Sequence, residues 1–506
     1  MYSRLLSGTI QGVTGVPVEV ETDVARKGFP SVSIVGLPGK AVEEAKERIR
    51  SALANSGFRM PDCRVTINLA PGDIPKTGTG FDLPMAVSLL AADGILDPER
   101  IKRWFFLGEL ALDGAIRPVP GVLPLLRALS KSQTETAVVP EESYPEAALV
   151  PSVQVIPVAT LTELVAILQG QKQPALPQTV LPQPEARDPA PLDAIRGQEG
   201  AKRVLEIAAA GFHNVLMHGP PGSGKTALAQ AFHSLLPPLT GEELLDVRCI
   251  YSAAGRMYEI DPSRRPFRSP HHTVSRQGLI GGGVPPQPGE ITLAHRGVLF
   301  LDELPEFSRS TLEALRQPVE DGIVRISRVR TSVEMPCRFQ LIATANPCPC
   351  GYLGHATRMC TCTPGVIAAY RKRLSGPLLD RIDLHTLVNP VSESELFNAA
   401  LTENQTEREP CRFARIEEAV ARQEKRFNGL PICRNSELDS TTTRKFIQLT
   451  TDAELLLKKA IRRYDLSTRA FFRVLKVSRT IADLDCSDNI TVQHIAESVQ
   501  YRATSY

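Results

Sequence analysis

The eight residues Gly219-Pro220-Pro221-Gly222-Ser223-Gly224-Lys225-Thr226 have the types and spacing of a phosphate cradle. Glycines let successive backbone N–H groups converge on phosphate oxygens without a Cβ in the way, and a helix starting here adds its amino-terminal dipole. Lys225 is placed to reach β- and γ-phosphates and Thr226 to ligate Mg2+, so ATP and Mg2+ are the expected ligands. A second pair, Asp302 and Glu303, follows the apolar run Val298–Leu301, at the strand end where open α/β sheets place their chemistry. Asp302 is expected to hold the Mg2+ shell and Glu303 to polarise the attacking water. Asn346, near the end of Leu341–Pro347, could align that water between the γ-phosphate and Glu303. Taken singly, paired acids also suit a helix amino terminus and an asparagine before proline suits a turn. Their order behind the phosphate loop favours the chemical reading.

Two further groups are candidates for binding. Cys348, Cys350, Cys360 and Cys362 form a CxC…CxC set, four thiols in the number tetrahedral zinc requires. Their spacing departs from the CxxC turn that directs both sulfurs at one ion, so a structural Zn2+ and plain reduced cysteines both remain open. Arg325, Arg328 and Arg330 lie in 321–339, whose alternation with Val324 and Ile326 predicts a β-hairpin. These arginines could grip phosphates without reading sequence, or could simply face water. A second basic stretch, Lys458–Arg479, holds eight basic residues against Asp465 alone.

These groups need elements to position them. The runs Asn214–His218 and Val298–Leu301, bounded by glycine, read as buried parallel strands, and a helix is expected from the phosphate loop through Leu228–Leu236. Upstream, a helical pattern at 43–56 alternates with β-rich runs at 64–69 and 104–112, an α+β arrangement. Prolines 174, 177, 182, 184, 189 and 191 mark a semi-rigid linker. The expectation is an α/β multidomain chain: an α+β domain at 1–171, a linker at 172–192, an α/β phosphate-loop core at 193–388 and a helical region at 389–506.

From residue 195 onward the resemblance is specific. The order of the phosphate loop, acidic strand and Asn-tipped strand resembles the AAA+ ATPase layout, with Ile195–Gln198 similar to the adenine-side segment. The segments 265–275, 288–307, 346–351, 373–384 and 473–484 together resemble the magnesium-chelatase-like AAA+ ATPases, and the extra N-terminal domain resembles the ComM/YifB-like subfamily. The resemblance implies an α/β AAA+ core with pore hairpin insertions, a C-terminal helical lid and a homo-hexameric ring. It also implies a DNA motor for helicase or branch-migration work at recombination intermediates in natural transformation, acting on single-stranded or branched DNA. By the same resemblance Arg381 is an arginine finger offered in trans, and Arg469 a lid arginine with Arg473 as runner-up. The N-terminal region resembles the Lon-protease domain, of ribosomal S5 domain 2-like fold, on 77–90 and 107–122. Gly80 and Leu123 stand where Lon has its serine and lysine, and neither can do acid–base work. An alternative function is a magnesium-chelatase-type ATPase subunit that remodels a protein partner for metal insertion.

Bulk composition permits these readings. Hydrophobic residues are 42% and charged residues 23%, as in ordinary folded domains. No run of eighteen apolar residues supports a membrane span, and the ten cysteines in a long chain without an apolar leader fit a reducing cytoplasm. The net charge of +2 argues little about partners, but it divides into −3 over residues 1–171 and +5 over the remainder.

Overall fold

The computed structural model describes residues 2–503 apart from 26–28, 131–133, 135, 177–190, 196, 262, 328–331, 356–357, 375, 391–411 and 431. Most of the expected proline-rich linker therefore lies outside the described residues.

The N-terminal region builds a seven-stranded mixed sheet. Strands β1 (Tyr2–Gln11) and β2 (Thr14–Ala25) pair as a long antiparallel hairpin around Gly12, followed by β3 (Ser31–Val35), helix α1 (Lys40–Asn55) and β4 (Arg64–Ala70). Helix α2 (Asp82–Ala92) is buried on every side, which its continuous apolar sequence dictates, and its one charge, Asp82, is held by Arg48 at 2.6 Å. Strand β5 (Trp104–Phe106), helix α3 (Val122–Leu129), β6 (Thr136–Pro140) and β7 (Gln154–Val158) complete the order β3-β4-β2-β1-β5-β6-β7. The β-rich run expected over 104–112 is two short strands, because Gly108 separates Trp104–Phe106 from Glu109–Leu110.

The central region is a five-stranded parallel sheet. Helix α4 (Glu199–Gly211) precedes β8 (Val215–His218), which feeds helix α5 (Lys225–Leu235). Helix α6 (Gly241–Ala253) opens with a capping box made by Thr240 and Glu243. Strands β9 (Phe267–Arg268), β10 (Val298–Leu301), β11 (Ile323–Ser327), β12 (Ser332–Pro336), β13 (Gln340–Ala345) and β14 (Leu384–Leu387) follow. The sheet order is β9-β10-β13-β8-β14, so the strand bearing the phosphate loop is flanked by β13 and β14. Every residue of β8, β10 and β13 is buried, the reason their sequences are mostly short apolar runs. Strands β11 and β12 form the separate antiparallel hairpin expected over 321–339.

The N-terminal region packs on α6. The backbone N–H of Gly121 donates to Ser252 O at 2.9 Å, and Arg127 pairs with Asp246 at 2.6 Å. Val13, in the β1–β2 turn, packs in a cluster with Val247, Tyr251, Val333 and Met335, so one face of the β11–β12 hairpin is covered.

The C-terminal region is helical: α7 (Arg412–Arg426), α8 (Thr451–Tyr464), α9 (Thr468–Leu484) and α10 (Val492–Ala503). Helix α9 buries Arg479, which is 2% exposed and bridges Asp483 at 3.0 Å. It is anchored to the amino end of the core sheet, through Thr480 with His213 at 2.8 Å and through the ion pair of Arg473 with Asp383. No helix among the described residues is long and apolar enough to cross a membrane.

Candidate phosphate site

The site grows from the carboxyl ends of β8, β10 and β13. Gly224 caps helix α5 with φ +88°, a left-handed conformation that a Cβ would strain, and the turn brings Lys225 under the loop. Lys225 Nζ donates to the carbonyls of Gly219 at 2.7 Å and Pro220 at 2.8 Å, and to Asn346 Oδ1 at 3.2 Å. Burial lowers its pKa, against the opposing pull of Asp302 and Glu303. A polyphosphate arriving at the loop would offer this ammonium stronger partners than two carbonyls.

Asp302 and Glu303 stand at the end of β10. Thr226 Oγ1 donates to Asp302 Oδ2 at 3.1 Å. Thr344 Oγ1 donates to Asp302 Oδ1 at 2.5 Å and accepts the Glu303 N–H at 2.9 Å. Glu303 has φ +51°, a conformation in which a side chain costs on the order of 1 kcal/mol and which is common where function fixes the backbone. Asn346 Nδ2 donates to Glu303 Oε1 at 3.1 Å. Lys225, Thr226, Asp302, Glu303 and Asn346 thus form one connected network. The Thr226 hydroxyl and the Asp302 carboxylate are hard oxygen donors side by side, a set that fits Mg2+.

Thr344 is a member the sequence reading missed. The signal was present: a threonine inside the wholly buried strand β13 must find hydrogen-bond partners, and the adjoining acidic strand supplies them. Gln198, from the expected adenine-side segment, adopts φ +61° and donates to Asn389 O, beside the loop.

The expected arginines lie elsewhere. Arg381 is 11% exposed and is paired with Glu320, with a second bond to Pro377 O at 2.7 Å. Arg469 reaches the other oxygen of Glu320 at 3.4 Å. Arg469 and Glu320 line a cleft with Asn214, Asp383, Arg473 and Lys476 at the amino ends of β8 and β14, and the Arg381 carbonyl accepts Asn214 Nδ2 at 3.3 Å beside it. The expected lid arginine thus lies with α9 at the end of the sheet opposite its own chain's phosphate loop, where Arg469 shares a carboxylate with Arg381. Arg473, the runner-up, is engaged by Asp383 and donates to Arg381 O at 2.7 Å. Burial pushes the Asp383 carboxyl up, but Arg473 and His213 outweigh it and hold it well below the usual range.

On the hairpin, Arg325 is half exposed and pairs across the strands with Glu334 at 2.7 Å. Arg328 and Arg330 lie outside the described residues. The structure brings the four cysteines together, their sulfurs all within 4.8 Å of one another.

Comparison with known proteins covers nearly the whole chain. Residues 191–396 match the family described as magnesium chelatase, subunit ChlI, residues 20–143 match subunit ChlI of Mg-chelatase, and residues 411–502 match the ChlI C-terminal family. The chain is 43% identical over 494 residues to the uncharacterised protein YifB of Escherichia coli, covering 97% of this chain and 95% of that protein. It is 40% identical over 509 residues to competence protein ComM of Haemophilus influenzae, covering 99% and 97%. The magnesium-chelatase 67 kDa subunit of Heliobacterium mobile is 32% identical over 216 residues, 36% of this chain and 32% of that protein. The chain belongs to the magnesium-chelatase-like family, in the subfamily of YifB and ComM.

Proposed function

We propose that this chain is an ATP- and Mg2+-dependent motor that assembles as a homo-hexameric ring and moves single-stranded or branched DNA, with a competence-related role like that named for ComM. The observation that carries the reading is the bonded set Lys225, Thr226, Asp302, Glu303 and Asn346, which places a phosphate cradle, a metal-binding pair and a polarising carboxylate at one sheet edge. Thr226 and Asp302 would hold Mg2+, whose charge neutralises the β- and γ-phosphate oxygens when bound. Glu303 accepts the proton of the attacking water, and Asn346 orients the carboxylate for it. Arg381, at the far end of the sheet from its own cradle, is available to a neighbouring subunit's γ-phosphate once Glu320 releases it.

The domain plan that goes with this reading is a scaffold at 1–171, the ATPase core at 193–388 and a helical region at 389–506. The scaffold is of the Lon-like α+β type without peptidase chemistry, since Gly80 and Leu123 offer neither nucleophile nor base. The second reading, a magnesium-chelatase-type subunit acting on a protein partner, is favoured by the ChlI matches. Likeness to ComM over 99% of the chain, against 36% for the chelatase subunit, favours the DNA motor. The test is displacement of a labelled strand from a four-way junction. Displacement that needs ATP and disappears in Lys225→Ala supports the motor; a junction left intact at low salt argues for the chelatase-type reading.

A further inference from the structure

The geometry points to a tetrahedral Zn2+ site formed by Cys348, Cys350, Cys360 and Cys362, which fastens the loop after Asn346 onto the phosphate loop. The sulfur separations carry the first half. Cys348 Sγ lies 3.3 Å from Cys350 Sγ and 3.6 Å from Cys360 Sγ, and Cys350 and Cys360 are 3.6 Å apart. The sulfur of Cys362 joins them within 4.8 Å. A tetrahedron with Zn–S bonds of about 2.3 Å has edges of about 3.8 Å, which these distances approximate, whereas a disulfide needs about 2.05 Å. All four cysteines are free.

The surrounding backbone suits thiolates. The N–H of Cys362 lies 3.4 Å from Cys360 Sγ, a donor beside the cluster. Such a donor stabilises a negative sulfur of a four-thiolate site and fixes its orientation. Cys348 is buried and the other three are half buried, the state of a closed structural site at a protein surface. The unusual CxC spacing is therefore no obstacle: the two pairs converge from opposite ends of one loop.

The second half rests on what this loop touches. Cys348 follows Asn346 by two residues, and Asn346 bonds both Lys225 and Glu303. Gly351, with φ +82°, lies so close to the phosphate loop that a Cβ there would stand 2.4 Å from Pro221 Cδ. The loop thus braces the cradle from outside while carrying Asn346 within. With Zn2+ bound its two ends are tied, and Asn346 and Pro221 keep their spacing. Without it that tie between the two cysteine pairs is lost.

The test uses the full chain, purified without chelators or added metal. Elemental analysis is expected to find about one zinc per chain; a zinc content far below stoichiometric, with no uptake of added Zn2+ in competition with a chromogenic chelator, overturns the proposal. Iron in place of zinc, visible as thiolate-to-iron colour, overturns it as well. For the bracing role, a fluorescent ATP analogue is titrated in Mg2+ buffer into the native protein and into Cys360→Ser/Cys362→Ser. The variant should lose zinc and bind the nucleotide several-fold more weakly, with circular dichroism unchanged. Should the variant fail to fold, native protein stripped by a zinc-selective chelator and then reloaded gives the same comparison. Equal nucleotide affinity with and without zinc overturns the bracing half.

Discussion

Asn346 donates its side-chain amide to Glu303 Oε1 at 3.1 Å, so the tip of β13 sets the direction in which the β10 carboxylate points. Because its carbonyl also receives Lys225 Nζ at 3.2 Å, one asparagine ties the phosphate-binding cation to the base. Glu303→Gln should leave nucleotide binding intact while lowering the hydrolysis rate about 10²–10⁴-fold, the contribution of a positioned base. Asn346→Ala should lose less, because the carboxylate remains. Steady-state ATPase with parallel nucleotide titration separates the two; a Glu303→Gln chain that hydrolyses ATP at the native rate removes Glu303 from the mechanism.

Arg381 and the cradle of Lys225 belong to opposite ends of one sheet, so in the proposed ring they would meet only across subunits. Lys225→Ala and Arg381→Ala should each abolish hydrolysis alone. Mixed before assembly, the two inactive chains should regain a fraction of native activity, since some interfaces then pair an intact cradle with an intact arginine. Mixtures as inactive as their parts would place Arg381 outside the neighbouring site.

DNA affinity should depend on salt through the basic hairpin. Replacing Arg325, Arg328 and Arg330 by alanine is expected to weaken binding equally for unrelated sequences. Each lost phosphate contact lowers the slope of log K against log salt by about 0.7–0.9. Fluorescence anisotropy across a salt series measures this. An unchanged slope would mean that Arg325 serves only its pair with Glu334.

Burial holds three histidines neutral: His218 and His295 are lowered to about 3 and His385 to about 4. In the unfolded chain each takes a proton near pH 6.5, so below that pH the unfolded state binds more protons and stability falls. Each unit of pH lost below about 6.5 should cost up to about 1.4 kcal/mol per histidine until the folded value is reached. Thermal denaturation at pH 7.5 and pH 5.5 reads the effect, and equal midpoints at the two values contradict it.

The phosphate site was legible because its parts are local. Strands buried on both faces are mostly apolar, so β8, β10 and β13 announce themselves by short hydrophobic runs, and the residues after them are the ones the sheet presents. The hairpin was legible from alternation, with Val324 buried and Arg325 exposed. The position of Arg469 was not. Spacing shows that Arg469 and Arg473 share a helix face, which the structure bears out through Glu320 and Asp383. No periodicity within α9 says which end of a distant sheet that face meets. Pairs such as Arg381 with Glu320, 61 residues apart, are decided by tertiary packing.

The Lys225–Glu303–Asn346 network is expected to hydrolyse ATP in response to DNA. The most direct measurement is phosphate release by the full chain with Mg2+ and ATP at low salt, with and without single-stranded and branched DNA. Hydrolysis that rises when DNA is added and is lost in Lys225→Ala is the expected result. Hydrolysis that proceeds at the same rate whether or not DNA is present would contradict it.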